Sequence, residues 1–419
     1  MATPTTGSEE KSPPQVPGTR GSTFRALRHR NFRLFIGGQA VSLIGTWMQR
    51  TAESWLVYRL THSEFLLGVA WFCTQIAVFV LGPLGGMAAD RFSRHKLVIV
   101  TQSLSMIPAF ALAALTLTGH VHVWHVLALA VMLGAINAFD VPGRQSLIVQ
   151  MTDQDDLLNA ISLNSAMFNG ARVVGPSIAG LVVAAFGEGV CFLINGLSFL
   201  AVLGSLLAMR LPAFERPAPE SPWRHMAEGF HYAWHNSAVR RLLAVMAAAA
   251  LTNVPVIVLM PVFADALFRR GARGLGILMG AMGVGAVIGT LGLARRTNVK
   301  GLAHVIVYSG MLLGVASLVF AYSTWFYFSL AVMVLIGYSM MRQMAAANTT
   351  IQTVVPDDLR GRTMALYAMA VVGLAPFGSL AAGALAGHFG APATVAMGGI
   401  LAIGAAALFG WSAGRNPIV

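Results

Sequence analysis

The sequence predicts an all-α integral membrane protein in which twelve transmembrane helices form two pseudo-symmetric six-helix bundles. Three observations carry this expectation: an apolar composition, apolar segments of bilayer length that recur along the chain, and basic residues gathered on alternate connections. Of 419 residues, 56% are apolar and 11% charged, and the mean hydropathy is +0.69; a water-soluble fold has too little interior for that composition. A helix crosses a hydrocarbon core of about 30 Å with about 20 mainly apolar residues. Twelve such segments occur, at roughly 31–58, 65–89, 97–118, 123–149, 157–186, 189–210, 241–264, 274–294, 302–322, 325–350, 360–388 and 391–411. Interior Gly, Pro and Ala are too frequent for barrel strands, whose two-residue alternation is not seen.

The remaining parts of the chain have their own signatures. Residues 1–23 are rich in Pro, Ser, Thr and Gly without the apolar stretch of a secretory signal, so residues 1–30 are expected to form a disordered cytoplasmic tail. Residues 31–210 hold the first six spans and 241–411 the last six, with a second short tail at 412–419. The connection at 211–240 contains Pro212, Pro217, Pro219 and Pro222, then Trp223, Met226, Phe230 and Trp234 at helical spacing. That spacing reads as an amphipathic helix at the membrane surface or an ordinary linker helix. Cys73 and Cys191 both fall within spans, which argues against an exported disulfide framework.

The net charge of +12 follows the same topology. With the amino terminus in the cytoplasm, 22 of the 28 Lys and Arg residues fall on that side, including Arg25, Arg28, Arg91, Arg94, Lys96, Arg240, Arg241, Arg360 and Arg362. Arg59, Arg269, Arg270 and Arg273 fall on the other. Cytoplasmic connections carry the excess of Lys and Arg in membrane proteins, so both termini are expected in the cytoplasm. The basic balance then reports topology and contact with anionic lipid headgroups, not nucleic-acid binding.

The two halves look like copies. Asp155-Asp156-Leu157 matches Asp357-Asp358-Leu359, and Ala179-Gly180-Leu181 matches Ala382-Gly383-Ala384, a spacing near half the chain. One connection departs from the symmetry. Between the second and third spans the chain reads Gly86-Met-Ala-Ala-Asp90-Arg91-Phe-Ser-Arg94-His-Lys96, whereas the second half offers only Arg295, Arg296 and Lys300 without an acidic residue.

This segment resembles the Gly-x-x-x-Asp-Arg-x-Gly-Arg-Lys signature that joins the second and third spans of the major facilitator superfamily of secondary transporters. Ser93 and His95 depart from it. In the fifth span, Gly170-Ala-Arg172-Val-Val-Gly175-Pro176-Ser-Ile-Ala-Gly180 is similar to the Gly-Pro motif of exporters and antiporters, with altered spacing. Pro356-Asp357-Asp358-Leu359-Arg360-Gly361-Arg362, before the eleventh span, looks like a loop of the drug and siderophore exporters, and Asp140-Val-Pro142-Gly-Arg144 resembles the same branch, which includes relatives of the enterobactin exporter and macrolide efflux pumps. The resemblance implies a proton-coupled antiporter of the bacterial inner membrane. It would export a hydrophobic or amphipathic small molecule as a monomer in contact with lipid and protons, with no cofactor. A metabolite importer of the same fold and a non-transporting receptor or scaffold are the alternatives.

The residues themselves suggest how such a protein would work. Asp90 can complement a helix amino terminus, and Arg91 and Arg94 can reach Asp153, Asp155 or Asp156, latching the cytoplasmic side when the opposite side opens. Gly175-Pro176 lets helices approach and bend. Ionisable groups inside spans are costly and point to function: Glu53 with Arg50 in the first span, Asp140 with Arg144 in the fourth, and Arg172 in the fifth. Glu53 or Asp140 could exchange a proton as its surroundings alternate, though an interfacial pairing of Glu53 with Arg50 or Arg59 and a static Asp140–Arg144 pair explain them equally. Arg172 needs a partner, either Glu53, an anionic substrate group, or, in a structural role, backbone carbonyls or Asn169. Trp47, Met48, Gln49, Met340, Met341 and Gln343 are expected cavity linings. His120, His122 and His125 lie close in sequence without a nearby Cys or carboxylate, a poor metal set. Walker, nucleophile-elbow and HExxH motifs are not found, so neither nucleotide-driven transport nor an intramembrane enzyme is expected.

Overall fold

The computed structural model describes residues 24–211, 231–294 and 300–415. They form α1 (Arg30–Thr61), α2 (Glu64–Arg91), α3 (Arg94–Leu117), α4 (Val123–Ile148), α5 (Gln154–Phe186) and α6 (Glu188–Leu207). After the linker come α7 (Ser237–Leu267), α8 (Gly271–Ala294), α9 (Leu302–Ala321), α10 (Phe326–Val354), α11 and α12 (Ala391–Arg415). Helix α11 has three consecutive parts: Asp357–Ala368, a π-helical turn at Met369–Gly373, and Ala375–Phe389. Eleven of these helices are long and apolar enough to cross a membrane. The twelfth, α1, has the length at 32 residues, but Gln39, Gln49, Arg50 and Glu53 dilute its apolar character. Local chemistry sets several boundaries. The Ser63 hydroxyl accepts the Leu66 N–H at the start of α2, and the Asn236 side chain accepts those of Ala238 and Val239 at the start of α7.

The packing repeats six helices on. In the first half α1 packs on α5 and α6, α2 on α4, and α3 on α4 and α6; in the second, α7 packs on α11 and α12, α8 on α10, and α9 on α10 and α12. The two bundles meet along α5–α8 and α2–α11, which the same relation exchanges. Small residues make these crossings close. A Cβ on Gly180 of α5 would stand 2.8 Å from the Gly276 Cα of α8, and one on Gly383 of α11 would stand 2.9 Å from the Glu64 carbonyl of α2. Neither crossing has room for a side chain. Gly180 and Gly383 are the positions that the sequence repeat aligns, so the duplicated Ala-Gly encodes a pair of contacts related by the pseudo-symmetry.

Both glycine crossings lie toward the face remote from Arg30 and Arg415, the start of α1 and the end of α12. There the two bundles share one continuous apolar core, in which Leu56 and Phe192 join Val258, Phe263, Leu278 and Phe320. Toward the face that carries the start of α1 and the end of α12 the core divides. Phe32, Phe35, Val98, Leu147 and Phe199 pack within the first bundle, while Leu242, Ile306, Ala347 and Ile351 pack within the second. The molecule is thus sealed at one face and parted at the other.

The structure corrects the expectation for the end of the amino-terminal tail. Residues 25–28 form a 3-10 turn, because Asp156 at the start of α5 gathers it. The Asp156 carboxylate is fully buried and takes Arg25, Arg28 at 2.8 Å and His29 at 2.8 Å, while the Ala26 N–H donates to Asn159 at 2.9 Å. The proposed amphipathic helix at 223–235 lies outside the described residues except for a short helical stretch at 231–235, and Arg295 and Arg296 lie outside them too.

Candidate functional site

Helix α1 builds the site because its polar residues fall on one stripe. Gln39, Ser42, Thr46, Gln49 and Arg50 recur at intervals of three and four and line a cavity of about 420 Å³. The cavity lies between the helices of the first bundle and extends toward the parted face, with Phe35 and Ile148 near its mouth. Gln75, Gln102, Asn137, Asn164 and Asn195 add carboxamides from α2 to α6, and Val372, in the π-helical turn of α11, is the sole second-bundle residue among its linings.

Two hydrogen-bonded groups stiffen this wall. Asp140 is 2% exposed: one carboxylate oxygen lies 2.6 Å from the Arg144 guanidinium, and the other accepts from Thr101 at 2.8 Å and Gln102 at 3.0 Å. A carboxylate so fully engaged resembles a structural ion pair. Asn195 donates to Gln49 at 2.6 Å, tying α6 to α1. Gln39 and Gln102 belong to the same lining, and their carboxamide oxygens are buried without a hydrogen-bond partner.

Above this cavity, toward the sealed face, lie two smaller spaces. Arg50 and Glu53 line one of about 40 Å³ with Trp71 and Gln75. A second, of about 60 Å³, lies between the bundles and brings Trp47, Arg50 and Arg172 against Ile257, Pro261, Leu275, Met279 and Met282 of α7 and α8. Arg50 therefore touches all three spaces. Among the described residues, Glu53 makes no ion pair within 4 Å with Arg50 or Arg59; Arg59 instead holds Glu188 at 2.7 Å, joining α1 to α6.

The remaining expected site residues divide into those the structure brings together and those it does not. Gly175 and Gly180 do different jobs: a Cβ on Gly175 would stand 2.5 Å from Trp47 Cβ, fixing α5 on α1, whereas Gly180 and the Pro176 carbonyl face Gly276 across the bundle interface. Gly170 faces open space. Gly86, Asp90, Arg91 and Lys96 stand at the parted face, where Asp90, Arg91 and Lys96 are exposed and make no ion pair among the described residues. Arg94 donates to the Ser146 carbonyl at 3.4 Å, and His95 bonds the Leu206 carbonyl at 2.8 Å. The expected pairing of Arg91 or Arg94 with Asp156 is therefore not made here, since Arg25, Arg28 and His29 occupy that carboxylate. In the second half, Arg360 donates back to the Gln352 carbonyl at 2.9 Å; Arg362 lies in the same first turns of α11, and the side chains of Asp357 and Asp358 fall outside the described residues. Met48, Met340 and Gln343 are buried in packing, so of the expected linings Trp47 and Gln49 face the large cavity. The polar linings not expected from the sequence, Ser42, Thr46 and the carboxamides, share a signal: each is a polar residue in an apolar span, where such a group is costly unless partnered.

The comparisons with known proteins agree with this architecture. The chain is 23% identical over 372 residues to the staphyloferrin A transporter of Staphylococcus aureus, covering 88% of this chain and 93% of that protein. It is 25% identical over 361 residues to the multidrug efflux pump Tap of Mycolicibacterium fortuitum, covering 84% and 88%. Its fold matches a bacterial homologue of the human lysosomal transporter Spinster, captured inward-facing and unoccupied, with a TM-score of 0.69 at 15% identity over 95% of this chain and 98% of that one. The family model described as transmembrane secretion effector matches residues 21–413, and the chain accordingly belongs to that family of major facilitator superfamily transporters.

Proposed function

We propose that the protein exports an amphipathic small molecule across the bacterial inner membrane by alternating access, driven by inward proton flow. The observation that carries this reading is the contrast between its faces: two glycine crossings and a shared core close one, while separate cores and a polar cavity of about 420 Å³ open toward the other. With the termini in the cytoplasm, as the distribution of basic residues favours, the closed face is the outer one. Relatives named as a staphyloferrin A transporter and a multidrug efflux pump support movement of organic solutes, the second of them outward.

Proton coupling is assigned to Glu53 over Asp140. Asp140 already satisfies Arg144, Thr101 and Gln102, whereas Glu53 has no ion pair within 4 Å among the described residues and stands at the boundary between cavity and seal. The loop that carries Asp90, Arg91, Arg94 and Lys96 acts in the opposite state, where closure of the cytoplasmic face brings it against the second bundle. Reconstitution in liposomes with an imposed pH gradient, screened against lipophilic antibiotics, dyes and siderophores, tests the reading. Substrate-dependent proton flux opposite to substrate flux is expected, and Glu53→Gln loses uphill export while keeping downhill exchange. Flux in the same direction would make the protein an importer, and no flux with any solute would leave a receptor or scaffold.

A further inference from the structure

The unexplained groups at the centre of the molecule are two arginines that share one indole. Arg50 of α1 stands 5.1 Å from the centre of the Trp47 ring, and Arg172 of α5 stands 5.7 Å from the same ring. Both line the space of about 60 Å³ between the bundles, whose far wall of Ile257, Leu275 and Met279 is apolar. Among the described residues, neither guanidinium makes an ion pair within 4 Å. Asp140 is held by Arg144 at 2.6 Å, and Glu53 lines the neighbouring space without closing on either arginine.

Two like charges converging inside the membrane are costly, and an indole face compensates a cation only in part. Static packing does not account for them, because an apolar residue at either position would fill the same wall at lower cost. The cost is offset when an anion enters. A guanidinium presents paired N–H donors that match a carboxylate, and the space between them has room for a carboxylate or a few waters. Trp47 is held edge-on by Phe168, with ring centres 5.9 Å apart, so its orientation is fixed. Trp71 lines the same space and offers a second aromatic surface.

We propose that Arg50 and Arg172, with Trp47 between them, form an anion-binding subsite, and that the transported solute is an organic acid whose carboxylate sits there while its planar or apolar body stacks on the tryptophans. The inference rests on the transporter reading above and narrows it. The remainder of the solute extends into the cavity lined by Gln75, Asn137 and Asn164. Closure of the seal above the subsite holds the anion until the bundles rock.

The test compares two xanthene dyes of similar size, anionic carboxyfluorescein and cationic rhodamine 123, by fluorescence anisotropy on the full chain in nanodiscs with no gradient. Carboxyfluorescein is expected to bind at least tenfold more tightly than rhodamine 123, and benzoate, but not benzylamine, should displace it. Arg172→Gln and Arg50→Gln should each weaken carboxyfluorescein at least tenfold, with Arg172→Lys retaining part of the affinity because it keeps the charge. Binding of neither dye, equal or tighter binding of rhodamine 123, or an unchanged carboxyfluorescein Kd in monodisperse Gln variants overturns the subsite. The wild-type dye comparison needs no variant to fold. Because binding is read without a gradient, charge-selective binding without flux would sink the transport reading alone, and flux without charge preference would sink the subsite alone.

Discussion

The two bundles share one scaffold and differ in what they carry. Helix for helix they pack alike, and each contributes one partner to each of the two interfaces, so duplication explains the shape. The polar chemistry is not duplicated. Every residue lining the large cavity except Val372 belongs to the first bundle, and the hydrogen-bonded groups at Asp140 and at Gln49–Asn195 have no counterpart among the described spans of the second. Polar groups inside lipid are expensive, and in the alternating-access mechanism proposed above one set suffices when the other bundle supplies an apolar surface. Symmetry here lies in the packing of the helices, and asymmetry in the polar lining.

Four experiments test this contrast. The largest effect is expected where symmetry matters most. Gly180→Val and Gly383→Val each push a side chain into backbone at equivalent crossings, so both should reduce transport at least a hundredfold and expose a single cysteine placed at Ala272 to water-soluble maleimide. Loss in one variant and normal transport in the other would show that the interfaces are not equivalent.

Removal of a partner from the buried pair comes next. Asp140→Asn should lower stability by about 3 kcal/mol, since it leaves Arg144 facing a neutral amide in a low-dielectric wall. In the second bundle, Gln343→Met, which replaces a packed carboxamide by an apolar chain of similar size, should change stability by less than about 1.5 kcal/mol. Thermal unfolding of both variants in the same detergent reads the difference, and equal losses would contradict the assignment of polar chemistry to one half.

A smaller, local effect is expected at the parted face. Asp156→Asn loses charge-assisted contacts to Arg25, Arg28 and His29, and hydrogen exchange at Ala26 to His29 should accelerate at least tenfold. The smallest change belongs to Asp90→Asn. Because Asp90 is exposed and makes no ion pair among the described residues, thermal stability should hold within about 0.5 kcal/mol, while the transport rate falls if the loop acts in the opposite state.

Much of the fold was legible because lipid imposes a simple rule on composition. Segment lengths, the linker between the halves and the Ala-Gly repeat all follow from it. The weakest span by hydropathy, α1, is the one that builds the cavity, so its polar residues both obscure it as a span and mark it as a wall. The site was less legible. Met340 and Gln343 sit on a helix that is apolar around most of its circumference, and hydropathy does not set the rotation of such a helix. Asp156 found its cations before the first span, since topology alone ranks Arg25 and Arg91 equally as partners on the same side. Arg172 stacks on Trp47 only because Gly175 lets α5 approach α1 closely, a contact that no spacing within either helix encodes.

The position of the glycine crossings also fixes the mechanical advantage of the molecule. Gly180 lies near the sealed end of α5, 33 residues long, so at 1.5 Å per residue the helix extends about 40 Å from that crossing to Gln154. A tilt of about 10° around the crossing then moves the far end by about 7 Å, the width of an aromatic ring system, while the crossing itself scarcely shifts. In the alternating-access mechanism proposed above, small changes at the seal become a large aperture at the mouth, and the work of opening is concentrated in a few backbone contacts where side chains are missing.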